Sequence, residues 1–288
     1  MEGSKRVSAK TPAVAEQIAL LIAYEIFSEA SKRYFGGTLT GKFVAGCGMG
    51  KSGGTQALAA PMNGAAFLGI DANSETIKQR VKSGYCDVMV NDLDEALRIL
   101  KNAVRTREAT SVGLVGNCAD VIPAMAKRGA VPDLLVDQTT AHTSSAAQTE
   151  GLLELEKLGS KVFGWPDSPG TPVPRENTAK IGDAFAEFIR PRLAQGFAAI
   201  YCTGSTGQTA DIRRIDLVIV ELFPQDEPLA RWTGLVQKRT RFQNPPARAY
   251  WLSREQRTQL NEAIVELAAR GEFESRITVD EYHFNSVP

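Results

Sequence analysis

The sequence predicts an α/β fold: a Rossmann-like parallel sheet with helices on both faces, followed by a smaller, mostly helical C-terminal portion. Three observations predict it. Short apolar runs alternate with helix-periodic segments from Phe43 to Asp137, and strands that read as unbroken apolar runs belong to sheets covered on both faces. A glycine-rich turn follows the first of these runs, and a carboxylate, Asp71, closes the second.

The elements follow in order. Thr11 to Tyr34 carries Ala, Leu, Ile and Phe at helical spacing behind Pro12, and Gly36-Gly37 ends it, so the chain opens with a helix. Phe43 to Ala45 reads as a strand, Gln56 to Met62 as a helix, and Ala65 to Ile70 as a second strand. The alternation continues with a helix at Ser74 to Ser83, a strand at Asp87 to Val90, a helix at Leu93 to Arg105 and a strand at Ser111 to Val115. A helix at Ala119 to Arg128 and a strand at Leu134 to Asp137 complete it. A later strand, Lys161 to Phe163, leads into the proline-rich stretch Pro166 to Pro174, the best place for a loop or a boundary. Thr178 to Pro288 reads as mostly helical, with apolar runs at Leu217 to Leu222 and Ala247 to Leu252. The expected organisation is an N-terminal helix over residues 1–36, a Rossmann-like nucleotide-binding domain over 37–177 and a C-terminal portion over 178–288.

Composition bounds the function. At 288 residues and 43% hydrophobic, the chain can bury a sizeable core. Lys plus Arg and Asp plus Glu both number 33, so no basic excess points to nucleic acid, and a small molecule is the expected ligand. Cys47, Cys86, Cys118 and Cys202 show no paired spacing for zinc or a disulfide framework and read as reduced thiols of the cytoplasm. With His142 and His283 as the only histidines, a metal site of several histidines is excluded, and no metal is expected. Residues Met1 to Lys10 are polar, and Tyr24 and Glu25 interrupt the apolar stretch Ile18 to Ile26. Neither a signal peptide nor a membrane span is expected.

The chemistry centres on the turn. Gly46, Gly48, Gly50, Gly53 and Gly54 fall within nine residues, between a strand and a helix. Glycine removes the Cβ that would keep a phosphate from backbone N–H groups, and the helix start faces the anion. Two phosphate motifs compete. Ala45 through Gly50-Lys51-Ser52 resembles a nucleoside-triphosphate P-loop with Ala in the first position, for which Asp137 would hold magnesium. Gly46, Gly48 and Gly53 or Gly54 form a loosened dinucleotide fingerprint. Asp71 favours the second reading, because a carboxylate at the end of the second strand accepts bonds from the ribose hydroxyls of NAD and repels the extra phosphate of NADP. Its plainer role is to cap the next helix. The cofactor contacts expected here are Gly48, Met49, Gly50, Gly53, Gly54, Gln56 and Asp71.

These residues, with Asn63 to Gly69, Gly113 to Asp120 and the string Asp137-Gln138-Thr139-Thr140-Ala141-His142, resemble the urocanase family. The likeness resumes at Phe188-Ile189-Arg190-Pro191, Arg231-Trp232 and Phe242 to Arg248, so it covers roughly Tyr34 to Pro288. The resemblance implies a homodimeric hydratase, a lyase, that holds NAD tightly and uses it as an electrophile with no net hydride transfer. It adds Asn117, Cys118, Gln138, Thr139, Thr140, Ala141, His142 and Trp165 to the cofactor contacts. The plainer reading of Asn117 and Gln138 is loop hydrogen bonding, and of His142 a capping or packed histidine.

The departures from the family bear on the substrate. The chain is much shorter, and is expected to lack most of the N-terminal part and the whole C-terminal part that frame the family's pocket. Its glycine turn is about two residues longer and brings in Lys51. Where the family carries its functional cysteine this chain has Tyr250. Where it has an arginine for the substrate's carboxylate this chain has Ala198, a loss of about 2 kcal/mol or more. Trp165 and Gly170 replace a tyrosine and an arginine. The expected enzyme therefore hydrates a small unsaturated or heteroaromatic acid other than urocanate. Tyr250 is the candidate proton donor and Arg190 the candidate anchor for an anionic substrate. Their plainer readings are a core aromatic beside Trp251 and a helix-end arginine. A non-catalytic or partner-dependent NAD-binding protein, an NAD-dependent oxidoreductase and a P-loop protein are the alternatives.

Overall fold

The apolar N-terminal segment folds as α1 (Pro12–Tyr34), which buries Leu20, Leu21, Ile22, Ala23, Tyr24, Ile26 and Phe27. A helix apolar on nearly every side is stable only when enclosed. The computed structural model describes residues 12–51, 53–138, 145–164, 181–205, 209–238 and 247–284. They divide into two units, one of Ile22–Pro191 with Phe284, the other of Arg192–His283 with the residues up to Leu21.

The first unit is doubly wound. Its elements are β1 (Phe43–Cys47), α2 (Gly53–Met62), β2 (Ala66–Asp71), α3 (Ser74–Lys82), β3 (Val88–Val90) and α4 (Leu93–Thr106). There follow β4 (Thr110–Val115), α5 (Cys118–Lys127), β5 (Leu134–Asp137), α6 (Ala146–Lys157), β6 (Lys161–Gly164) and β7 (Gly182–Asp183). The seven strands pair in parallel in the order β3-β4-β2-β1-β5-β6-β7. The chain leaves β1 towards β2 and later returns to β5 on β1's other side. With right-handed crossovers this reversal places helices on both faces and opens a crevice at the C-terminal ends of β1 and β5.

The apolar runs fill the interior, with Ala45, Leu68, Ile70, Val112, Leu114 and Leu135 from the strands meeting Leu100, Ile122, Met125 and Leu152 from the helices. Side-chain caps fix where the helices start: Asn73 for α3, Asp92 for α4, Asn117 for α5 and Ser145 for α6. Every strand and helix read between Phe43 and Asp137 forms. Within this unit the two-residue strand β7 has no counterpart in the sequence reading, and neither has the helix α6. It buries Gln148, Thr149 and Gly151 beside Leu152 and Leu155, so its inner face lacks an apolar period. Gly151 is needed there because a Cβ would stand 2.9 Å from the backbone nitrogen of Pro123 on α5.

A π-helical turn, Phe185–Ile189, runs into α7 (Arg190–Ala194). The second unit then contains β8 (Ala198–Gly204), α8 (Thr209–Leu222), α9 (Glu227–Lys238), β9 (Ala247–Leu252), α10 (Arg254–Ala269) and β10 (Ile277–Glu281). Helices dominate it, and they are organised on an antiparallel sheet of order β10-β8-β9. The apolar run Ala247–Leu252 is the fully buried β9, whereas Leu217 to Leu222 lies in α8. Edge strand β10 alternates half-buried Ile277 and Val279 with exposed Thr278 and Asp280, the pattern of a strand with one wet face. Ser253 and Gln256 form a reciprocal capping box at the start of α10. Among the described residues no helix is long and apolar enough to cross a membrane.

Candidate functional site

The turn between β1 and α2 is held on every side. Gly48 takes φ +84°, a left-handed conformation suited to glycine, and its N–H donates to Ile70 O at 2.8 Å. Met49 follows, wholly buried. Its side chain occupies the space over Gly69, where a Cβ would lie 2.4 Å from Met49 Sδ. Its N–H donates to Asp71 Oδ2 at 2.8 Å. Gly53, the first residue of α2, packs against the start of the turn: a Cβ there would stand 2.1 Å from the carbonyl oxygen of Gly48. Gly54 N–H donates to Gly50 O at 2.9 Å.

What remains is a set of unclaimed donors. Among the described residues, the N–H groups of Gly50, Lys51 and Gly53 make no hydrogen bond with another described residue. They lie at the N-terminus of a ten-residue helix, whose aligned peptide dipoles favour an anion. The Gly48 and Met49 N–H groups are committed to Ile70 and Asp71, so these two residues shape the turn without offering donors.

The neighbouring strand ends converge on the same place. Asp71 ends β2 and accepts from Met49 N and, at 2.8 Å, from Asn73 N. A carboxylate has about four acceptor positions, so two remain. Gln138 follows β5, donates its N–H to Cys47 O at 3.0 Å, and its Cβ is 3.5 Å from the position a Gly53 Cβ would take. Asn117 caps α5, its side chain accepting from Ala119 N at 3.0 Å. Cys118, buried at the start of α5, donates to Ile70 O at 3.7 Å. Beneath the turn, the Cys118 thiol, and then burial, push the Cys47 thiol well above its ordinary value. All four cysteines are free and buried.

Gln56 is the unusual member. It is buried on α2, and among the described residues neither its Oε1 nor its Nε2 has a hydrogen-bond partner. Gly46 makes room for it, since a Cβ there would lie 2.7 Å from Gln56 Oε1. An unpaired buried amide costs about 1–3 kcal/mol and is uncommon in folded proteins.

The expected contacts Gly48, Met49, Gly50, Gly53, Gly54, Gln56, Asp71, Asn117, Cys118 and Gln138 thus gather at the C-terminal ends of β1, β2, β4 and β5. Thr139, Thr140, Ala141, His142 and Trp165 lie outside the described residues. Arg190 is exposed at the start of α7. Tyr250 belongs to the second unit, wholly buried on β9, where its hydroxyl donates to Asp216 Oδ1 at 2.5 Å. Arg248 pairs with the same carboxylate through Nε at 2.9 Å and Nη2 at 2.8 Å, both side chains fully buried. Burial first, and then the Asp216 carboxylate, hold the Tyr250 phenol well above its ordinary value. A pocket of about 370 Å³ beside this trio is lined by Arg213, Asp216, Leu217, Gln237 and Arg248. Arg80 on α3 also meets the glycine turn. Sequence reasoning missed it, because an arginine inside an exposed helix carries no distinguishing spacing.

Residues 20–156 match the family model described as the urocanase Rossmann-like domain, and residues 193–287 match the one described as the urocanase C-terminal domain. The second match corrects the expectation that the family's whole C-terminal part is missing. Among solved structures, that of AibC is similar at 16% identity and a TM-score of 0.35, over 64% of this chain and 46% of that one. The L-tryptophan dehydrogenase of Nostoc punctiforme gives 13% and 0.27, over 55% and 43%. The D-lactate dehydrogenase of Aquifex aeolicus, in complex with NAD and lactic acid, gives 13% and 0.27, over 91% and 68%. This chain therefore spans less than half the length of the first two, and these likenesses are too distant to bear on chemistry.

Proposed function

This chain belongs to the urocanase family, and from that premise we propose that it is an NAD-dependent hydratase, a lyase, acting on a small unsaturated or heteroaromatic acid other than urocanate. The observation that carries the cofactor half is the row of N–H groups at Gly50, Lys51 and Gly53, unclaimed among the described residues, beside a carboxylate with spare acceptor positions at Asp71.

The residues fit the cofactor. The N–H row and the start of α2 would take the pyrophosphate, for which the absence of a Cβ at Gly53 and Gly54 keeps the turn closed and shallow. Asp71 would accept from the ribose hydroxyls. Gln56, whose buried amide has no partner among the described residues, is a polar group for which a ligand atom or water is a natural partner. Asn117, Cys118 and Gln138 border the crevice where open parallel sheets take their ligands. When bound, NAD supplies an electron-poor ring that acts as an electrophile. The protein's part is to bind and orient the cofactor's phosphates and sugar, and to hold the substrate.

Substrate choice follows from what replaces the family's groups. Ala198 offers no cation, so a substrate carboxylate needs another, and exposed Arg190 is our candidate. Tyr250 is fixed on Asp216 with a raised pKa, so as a proton donor it would act from within that trio. We also propose a homodimer in the cytoplasm, in keeping with the family and with four free, buried cysteines.

The direct test of the enzyme reading is a screen of unsaturated and heteroaromatic acids with the purified chain, following addition of labelled water to the product and absorbance in the NADH band together. Water incorporation without a change in that band supports hydration. Net NADH formation would replace the proposal with an oxidoreductase, and turnover that requires a second protein would replace it with a partner-dependent one.

A further inference from the structure

Arg80 lies near the end of α3, far in sequence from the glycine turn, yet three carbonyls of that turn converge on it. Its Nε donates to Met49 O at 3.2 Å, and its Nη2 donates to Gly50 O at 2.6 Å and to Lys51 O at 3.5 Å. The guanidinium carbon is 5.3 Å from the ring centroid of Tyr85, a buried residue. It also occupies the space in front of Gly54, where a Cβ would stand 2.1 Å from Nε and 2.6 Å from Cζ.

A trans peptide points its N–H away from its C=O. The carbonyl of Met49 shares a peptide unit with the N–H of Gly50, and the carbonyl of Gly50 shares one with the N–H of Lys51. With both carbonyls turned towards Arg80, both N–H groups face away from it. The same N–H groups are unclaimed by other described residues. Arg80 thereby collects the carbonyl dipoles that would repel an anion and leaves the donor side of the turn exposed. Asp71 holds the N–H of Met49 while Arg80 holds its carbonyl, so the two peptide units that meet at Met49 are each fixed, one by the carboxylate and the other by the guanidinium.

We propose that Arg80 is a positioning residue for the nucleotide site: it touches no part of the cofactor, and it sets the conformation in which the turn presents its donors. Gly54 belongs to the same device, since any side chain there would displace the guanidinium. The inference rests on the reading of the turn as an NAD site, and its test separates the two.

The full chain is compared with Arg80→Ala, Arg80→Lys and Gly54→Ala by NAD titration calorimetry, thermal melting and the backbone amide signals of Gly50 and Lys51 in nitrogen-15-labelled protein. Arg80→Ala is expected to weaken NAD binding about tenfold or more, the worth of one or two charge-assisted hydrogen bonds, and to move both amide signals. Added guanidinium ion should restore part of the affinity. Arg80→Lys should restore less than the full amount, because an ammonium lacks the planar fork that spans several carbonyls. Gly54→Ala should reproduce the loss although the guanidinium is retained.

If the wild type binds NAD and Arg80→Ala binds it equally, with unmoved amide signals, the positioning role is overturned and the nucleotide reading stands. If the wild type fails to bind NAD while the amide signals respond to Arg80→Ala, the nucleotide reading fails and the control of the turn by Arg80 stands. Should Arg80→Ala not fold, Arg80→Lys carries the same comparison.

Discussion

The carboxylate of Asp71 accepts the backbone N–H of Met49 at 2.8 Å, which ties the end of β2 to the turn that follows β1. The residue that would receive the ribose therefore also shapes the bed for the phosphates.

Asp71→Asn should expose both roles. An amide has one oxygen, so its NH2 group must face either Met49 N–H or Asn73 N–H, both of which are donors. We expect a loss of about 1–3 kcal/mol of stability in urea unfolding, together with weaker NAD binding by calorimetry. A variant as stable as the wild type, with full affinity, would show that the contact does no more than decorate the turn.

Gly53→Ala and Gly50→Ala form a matched pair. A Cβ at Gly53 would meet the Gly48 carbonyl at 2.1 Å, while one at Gly50 meets nothing within 4 Å. Backbone must shift in the first case and not in the second. Gly53→Ala is expected to cost on the order of 1–3 kcal/mol from overpacking and to abolish retention of NAD. Gly50→Ala should melt within a few degrees of the wild type, about what a change under 0.5 kcal/mol produces. Equal melting temperatures for the two would contradict the geometry of the turn.

The buried trio of Asp216, Arg248 and Tyr250 allows structure to be separated from catalysis. Asp216→Asn removes the carboxylate with which Arg248 pairs in the interior, and breaking such a buried pair costs about 3–5 kcal/mol in comparable sites. Tyr250→Phe removes a hydroxyl donated to a carboxylate, worth about 1.5–3 kcal/mol. The expected result for Tyr250→Phe is lower stability with unchanged NAD affinity. Turnover lost beyond the loss of folded protein would identify Tyr250 as a proton donor.

Alkaline pH should unfold the chain through its buried thiols. Burial raises Cys86 from 9.0 to about 11, and burial also raises Cys202. A folded-state value above the unfolded one means that stability is fully present below pH about 9 and is lost as pH rises through about 11. Melting temperature should be flat up to pH 8 to 9 and fall beyond it, and Cys86→Ala should make that fall shallower. An unchanged slope in the variant would remove Cys86 from the explanation.

The doubly wound part of the fold was legible because strands enclosed on both faces carry unbroken apolar runs, as in Ala66–Asp71 and Leu134–Asp137. Helix α6 was hidden by the buried Gln148 and Thr149, which blur the apolar period. Strands β8 and β10 were hidden for another reason: an antiparallel partner across a long intervening segment leaves no local mark. At the site, glycine spacing and Asp71 pointed to an anion and a sugar. The hold that Arg80 has on the turn is a long-range contact of one ordinary residue, which no spacing rule encodes.

Occupancy of the glycine turn by NAD is decided by titrating NAD, NADP and ATP into the 288-residue chain and into Gly53→Ala in parallel, with mass analysis of whatever nucleotide the purified wild type releases on denaturation. The expected result is NAD released from or bound by the wild type, in preference to NADP and ATP, and none by Gly53→Ala. A wild type that neither carries nor binds NAD, or that is stabilised by ATP alone, would contradict it.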